Sequence, residues 1–153
     1  MIRHILIPTD GSKLSERTVE QGIKLARALG AKVTGLHVIP RFHSFTYRTQ
    51  VMLTYHVALP QDSESAYKAT TNASAKKLLQ FIKRAAANAN VACDTLHVSD
   101  DQPFRAIIGT AKKKGCDLIL MASHGHGGIG GILLGNEAHK VLTHSHIPVL
   151  IYR

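Results

Sequence analysis

The chain has 153 residues, 44% of them hydrophobic, and sets 19 Lys and Arg against 10 Asp and Glu for a formal charge of +9. That length suits one domain with one sizeable core, residues 1–153, and that apolar share argues against disorder. No apolar run nears the ~20 residues of a membrane-spanning helix, and MIRHILIPTDGS enters a strand without a charged-then-apolar leader, so the expected location is the cytoplasm with no membrane partner.

Ile5-Leu6-Ile7 marks a first strand over residues 3–8, which ends in the polar turn Pro8-Thr9-Asp10-Gly11-Ser12. A helix is expected over 15–29, with Val19, Ile23 and Ala26 on one face and Gly30 just past its end. A second strand covers 32–39. The connection 40–62 is long for a compact α/β domain and holds Phe42, Phe45, Tyr47, Met52, Leu53, Tyr55, Val57 and Leu59. It is expected to fold onto the domain surface, to form a flap beside a ligand crevice, or to meet a partner subunit.

A second helix is expected over 63–89 and a third strand over 91–98. Strands two and three echo each other, Lys32-Val-Thr-Gly-Leu-His-Val38 beside Ala92-Cys-Asp-Thr-Leu-His-Val98, as neighbours with similar packing demands would. Asp101-Gln102-Pro103 opens a third helix, with Asp101 as N-cap and Pro103 in the first turn. Residues 117–122 form a fourth strand, 135–143 a short helix and 147–152 a fifth strand. Cys93 and Cys116 make no CxxC pair and read as small core residues in a reducing compartment.

The positive charge raises the question of nucleic acid. Lys76, Lys77, Lys83 and Arg84 share one expected helix, however, and Lys112, Lys113 and Lys114 close another, where they complement the macrodipole. Aromatic residues for stacking are scarce among them, so these are read as solvated helix faces and no nucleic-acid partner is expected.

Alternating strands and helices predict a parallel sheet with right-handed crossovers and helices on both faces, an α/β fold. If the strand order is 3-2-1-4-5, the crevice at the switch point opens between the carboxyl ends of strands one and four. Strand one delivers the Asp10 turn there. Strand four delivers MASHGHGGIGGILLGN, residues 121–136, with six glycines. Glycine permits positive φ and close backbone approach, and a following helix start adds partial positive charge, which together suit phosphate oxygens.

With those residues in view, the chain resembles the universal stress protein family over essentially its whole length. The resemblance is carried by ILIPTDGS, LHVIP and DLILMASHGHGGIGGILLGNEAHKVLTHSHIPVLIYR. In the family's ATP-binding branch a glycine, two residues, a second glycine, nine residues, a third glycine and a Ser or Thr follow in order. Here the second glycine is Gly125, nine residues run from His126 to Leu134, and the third is Gly135. The resemblance implies a five-stranded Rossmann-like domain of the adenine nucleotide α hydrolase type that binds ATP, commonly as a homodimer.

By position, Pro8, Thr9 and Asp10 would meet the adenosine part with backbone at Val38 and Met121. Gly125, Gly127, Gly135, Asn136 and the amide of Glu137 would hold the phosphates, and His124 would orient the loop. Three positions depart from the pattern. Ala122 replaces the first glycine, at a cost of about 1–2 kcal/mol if that position requires positive φ. Asn136 replaces Ser or Thr, though its amide can donate to phosphate and can cap a helix. His126 stands where the family often has Arg.

No intrinsic metal site is expected: His124, His126, His139, His144 and His146 lack an evident Cys or acidic co-ligand, with His144 and His146 placed in the turn before strand five. Ser12 and Ser123 lie in no GxSxG elbow, and GxxxxGK[ST], SGGxDS and HxGH are all missing, so no catalytic residue is assigned. The expected function is nucleotide-dependent regulation in a stress response without efficient catalysis. The alternatives are a nucleotide-free dimeric interaction protein of the same fold and a slow Mg²⁺-dependent ATP hydrolase. Ile147-Pro148-Val149-Leu150-Ile151-Tyr152 is apolar on both faces and carries Pro148, as an edge strand covered by a two-fold mate would.

Overall fold

The computed structural model describes residues 1–42, 54, 64–126 and 134–153. Its strands are β1 His4–Pro8, β2 Lys32–Ile39, β3 Cys93–Ser99, β4 Leu118–Ala122 and β5 Val149–Tyr152. The helices named here are α1 Lys13–Leu29, α2 Glu64–Asn88, α3 Pro103–Lys114 and α4 Asn136–His144. The strands form one parallel sheet, as the alternation predicts, and their order is the expected β3-β2-β1-β4-β5.

Side-chain alternation along each strand divides the core in two. Ile5, Ile7, Val33, Leu118 and Leu120 pack on one face with Val19, Ile23 and Ala26 of α1 and Leu79, Ile82 and Ala86 of α2. Leu6, Leu36, Ile119 and Met121 pack on the other with Ile107, Ile108 and Ala111 of α3 and Ala138 and Val141 of α4. The two LHV echoes lie side by side, Leu36 against Leu96, His37 against His97 and Val38 against Val98. Their likeness therefore reflects strand pairing at one level of the sheet.

Helix α1 begins at Lys13, two residues before the expected start, because Ser12 supplies the cap: its Oγ accepts from Ser15 N at 3.2 Å. Gly30 closes the helix in the left-handed region. For α3 the expected cap is corrected. The N-cap is Gln102, which makes no side-chain capping bond, while Asp101 Oδ1 accepts from Arg41 N at 3.0 Å. Its carboxylate is drawn across to the end of β2 instead.

A second correction concerns His144, which is the last residue of α4 and not part of the turn before β5. Its Nδ1 donates to Lys140 O at 2.8 Å and its ring lies 5.4 Å from that of Phe104. Cys116 is buried and Cys93 half-buried against the α1/α2 core. Most of the connection 40–62 lies outside the described residues. Its start is held down, since Tyr67 Oη donates to Pro40 O at 2.6 Å and Phe42 packs on the Tyr67 ring at 5.2 Å. No described helix is long and apolar enough to cross a membrane.

Candidate functional site

The strand order reverses between β1 and β4, which places the carboxyl end of each at the switch point. Leu36, Val38, Ile119 and Met121 all pack on the α3/α4 side of the sheet, and Pro8 follows Leu6 onto that side by alternation. Pro8, Val38 and Met121 thus form an apolar floor at the carboxyl edge. Ala122 is the last residue of β4 and is buried. Among the described residues Asn90 is the non-glycine with positive φ, so Ala122 sits in ordinary strand geometry and its methyl carries no backbone penalty.

Beside the floor stands the Asp10 corner, and its hydrogen bonds are densely made. Thr9 N donates to Leu36 O at 2.8 Å, and Thr9 O accepts from His37 Nδ1 at 2.8 Å. A carbonyl can only accept, so His37 carries its proton on Nδ1. Burial is the main cause that pushes the His37 pKa down, against the raising influence of Thr9 and Asp10, and the ring is neutral at pH 7. The Thr9 hydroxyl turns inward, to Ser15 Oγ at 3.0 Å and Gly11 N at 3.2 Å. Thr9 therefore braces the corner while the Asp10 carboxylate turns to Ser12 and His126.

Asp10 joins the two halves of the site. Oδ1 accepts from Ser12 N at 3.0 Å, and Oδ2 accepts from His126 N at 3.0 Å. Nε2 of His126 donates to Asp10 O at 2.9 Å. Burial alone would raise the Asp10 carboxyl, but the Ser12 hydrogen bonds and nearby His126 outweigh it and hold the group below the ordinary carboxylate value. The corner and the turn leaving β4 meet across 116 positions of sequence.

Neither Gly125 nor Gly135 uses positive φ. What each requires is space. A Cβ at Gly125 would collide with Asp10 Oδ2, and one at Gly135 would lie 2.9 Å from Ser123 O and 3.1 Å from His124 Cα. Gly135 N donates to Ser123 O at 2.7 Å, so the start of α4 lies beside the turn that follows β4. Ser123 Oγ and His124 Nδ1 share a 3.0 Å hydrogen bond. Gly127, with the rest of residues 127–133, lies outside the described residues.

Asn136 is the first residue of α4, so the capping role expected of it is corrected: Gly135 takes the N-cap position, extended at φ −61 and ψ 153, with its carbonyl accepting from His139 N. Gly135 has no side chain to cap with, which leaves the first amides of α4 without a side-chain acceptor. The Glu137 carboxylate in that first turn is engaged elsewhere. Its Oε2 accepts from Phe104 N at 2.9 Å and its Oε1 pairs with Lys140 at 3.1 Å. Among the described residues no three His, Cys, Asp or Glu side chains group to hold a metal. An open groove lined by Glu20, Phe81, Arg84, Ala85 and Asn88 lies between α1 and α2, on the far face of the sheet from the floor.

A match to the family described as "Universal stress protein family" runs over residues 1–153. The chain belongs to that family. A curated universal stress protein, YxiE of Bacillus subtilis, is 30% identical over 153 residues, covering all of both chains. Universal stress protein MJ0577 of Methanocaldococcus jannaschii is 29% identical over 158 residues, covering all of this chain and 96% of its own. Its solved structure superposes with a TM-score of 0.75 at 27% identity, covering 99% of this chain and 95% of that one. A universal stress protein solved in complex with cAMP superposes at a TM-score of 0.69 with 25% identity, covering 99% and 97% of the two chains.

Within this universal stress fold, sequence reasoning missed two histidines that shape the site. His37 braces the Thr9 carbonyl, and the matching LHV triplets gave its position in the sheet without its partner. His126 reads in the sequence as a departure from Arg and as a histidine without metal co-ligands, yet it binds Asp10 through both its main chain and its ring. The T-D-G-S run held a readable signal for the Ser12 cap, a Ser before an apolar-periodic segment.

Proposed function

We propose that this chain binds an adenine nucleotide, ATP, at the crevice between β1 and β4, and acts as a nucleotide-dependent regulator in a stress response. The observation that carries the reading is the meeting of Asp10 with the β4 exit turn through two hydrogen bonds, 3.0 and 2.9 Å long. This convergence sets a carboxylate beside an apolar floor and near an uncapped helix start. Pro8, Val38 and Met121 would carry the flat base. The Asp10 carboxylate, an acceptor only, would take a ribose hydroxyl or an adenine amino group.

Phosphate oxygens would meet the first amides of α4 at Asn136 and Glu137, with Gly125 and Gly135 allowing close approach. Thr9, Ala122 and His124 would act as the frame of the site, and Gly127 as part of the phosphate-binding segment. The cAMP complex of a related universal stress protein supports the choice of an adenine nucleotide. Magnesium would sit on the phosphates and supply charge neutralisation there. We assign no catalytic residue, place the protein in the cytoplasm as one domain over residues 1–153, and propose a homodimer through β5. That strand is an edge of the sheet and leaves Leu150 46% exposed.

Thermal unfolding with and without ATP tests the reading. A ligand at 100 times its Kd stabilises by about 2.7 kcal/mol, so millimolar ATP should raise the wild-type Tm by several degrees. Asp10→Ala and Gly125→Val should keep the circular dichroism of the fold and lose that rise. A wild-type Tm that ignores millimolar ATP rejects nucleotide binding.

A further inference from the structure

We propose that His126 is a positioning residue that fastens the start of the glycine segment to the Asp10 corner before any ligand arrives, and so raises affinity for nucleotide. The affinity part rests on the nucleotide reading; the fastening does not. Gly125 and His126 are both exposed, and packing alone gives an exposed, glycine-containing turn little reason to hold one conformation. Two bonds to one residue supply the reason. The main-chain N–H of His126 donates to Asp10 Oδ2, and the ring Nε2 donates to Asp10 O.

The two bonds grip different parts of Asp10, the carboxylate and the backbone, so they fix both the rotation of the carboxylate and the path of the turn. Gly125 makes the approach possible, because any Cβ there would strike Oδ2. The carboxylate is held from its other side by Ser12 N. A ligand meeting this site finds Asp10 already aimed, and less ordering remains to be done on binding. The geometry also says what can replace His126. Gln carries an N–H donor at about the reach of Nε2, whereas Phe keeps the ring's bulk without a donor.

Amide hydrogen exchange on the ligand-free protein and ATP titration calorimetry, each on wild type, His126→Phe and His126→Gln, test the proposal. The expected result is faster exchange at position 126 in His126→Phe, by about tenfold for loss of one such bond, and near-wild-type protection in His126→Gln. For ATP, loss of one such bond weakens binding by about three- to tenfold in the Phe variant, with recovery in the Gln variant. Unchanged exchange in His126→Phe overturns the fastening. Faster exchange with unchanged ATP affinity overturns its role in binding. Protected amides in a wild-type protein that takes no ATP reject the nucleotide reading and leave the fastening standing.

Discussion

Replacing Gly125 with alanine sets a methyl carbon against Asp10 Oδ2, and strain in φ plays no part in the cost. The carboxylate end is the only yielding side of that contact, and it can turn away only by giving up its bonds to His126 N and Ser12 N, both 3.0 Å long. Hydrogen bonds to a charged group contribute about 1.5–3 kcal/mol each, and water at this exposed edge recovers part of the loss, leaving about 2 kcal/mol in all. At about 2–4 °C per kcal/mol for a chain of this size, the Tm should fall by about 4–8 °C. Urea unfolding of wild type, Gly125→Ala, Asp10→Ala and the double variant isolates the cause. Once the carboxylate is gone the methyl has nothing to strike, so the cycle should show a coupling of about 1–2 kcal/mol. Equal costs of Gly125→Ala in both backgrounds would refute the contact.

The other glycines separate close approach from simple flexibility. Gly135→Ala presses a Cβ on the Ser123 and His124 backbone, which cannot swing aside, and should cost about 1–3 kcal/mol in urea unfolding. Gly109 lies within α3 with nothing within 4 Å of a built Cβ, so Gly109→Ala should raise stability by about 0.8–1 kcal/mol in the same assay. Burial lowers the pKa of both His4 and His37, so the unfolded chain takes up the protons first as pH falls. Stability is then full above about pH 6.5 and declines below it, and His37→Asn, which keeps a donor for Thr9 O, should flatten the decline measured between pH 7.5 and 5.5. Cys116 is buried and its thiol pushed up to about 11, first by burial and then by Asp117, so it should resist alkylation at pH 8 until urea exposes it.

The residues alone determined the alternation of strands and helices and with it a parallel sheet, because hydrophobic period and crossover handedness are local or nearly universal constraints, whereas the strand order that places the crevice is fixed by tertiary pairing. They also determined that Asp10 and the glycines close strands one and four, since each motif adjoins its own apolar run. Boundaries shifted where a cap decided them, as Ser12 did for α1 and Gly135 for α4, through single hydrogen bonds that periodicity does not encode.

Only the tertiary structure decided what those residues touch. Asp101, a cap by sequence, is claimed by Arg41 across the sheet edge, and Glu137 serves the start of a helix 33 residues away. The need for glycine at 125 and 135 became a matter of clearance between chain segments and not of φ. His126 became a partner of Asp10 across 116 positions. Contacts of that kind depend on where the folded chain brings two distant backbones, a property that no stretch of either segment contains.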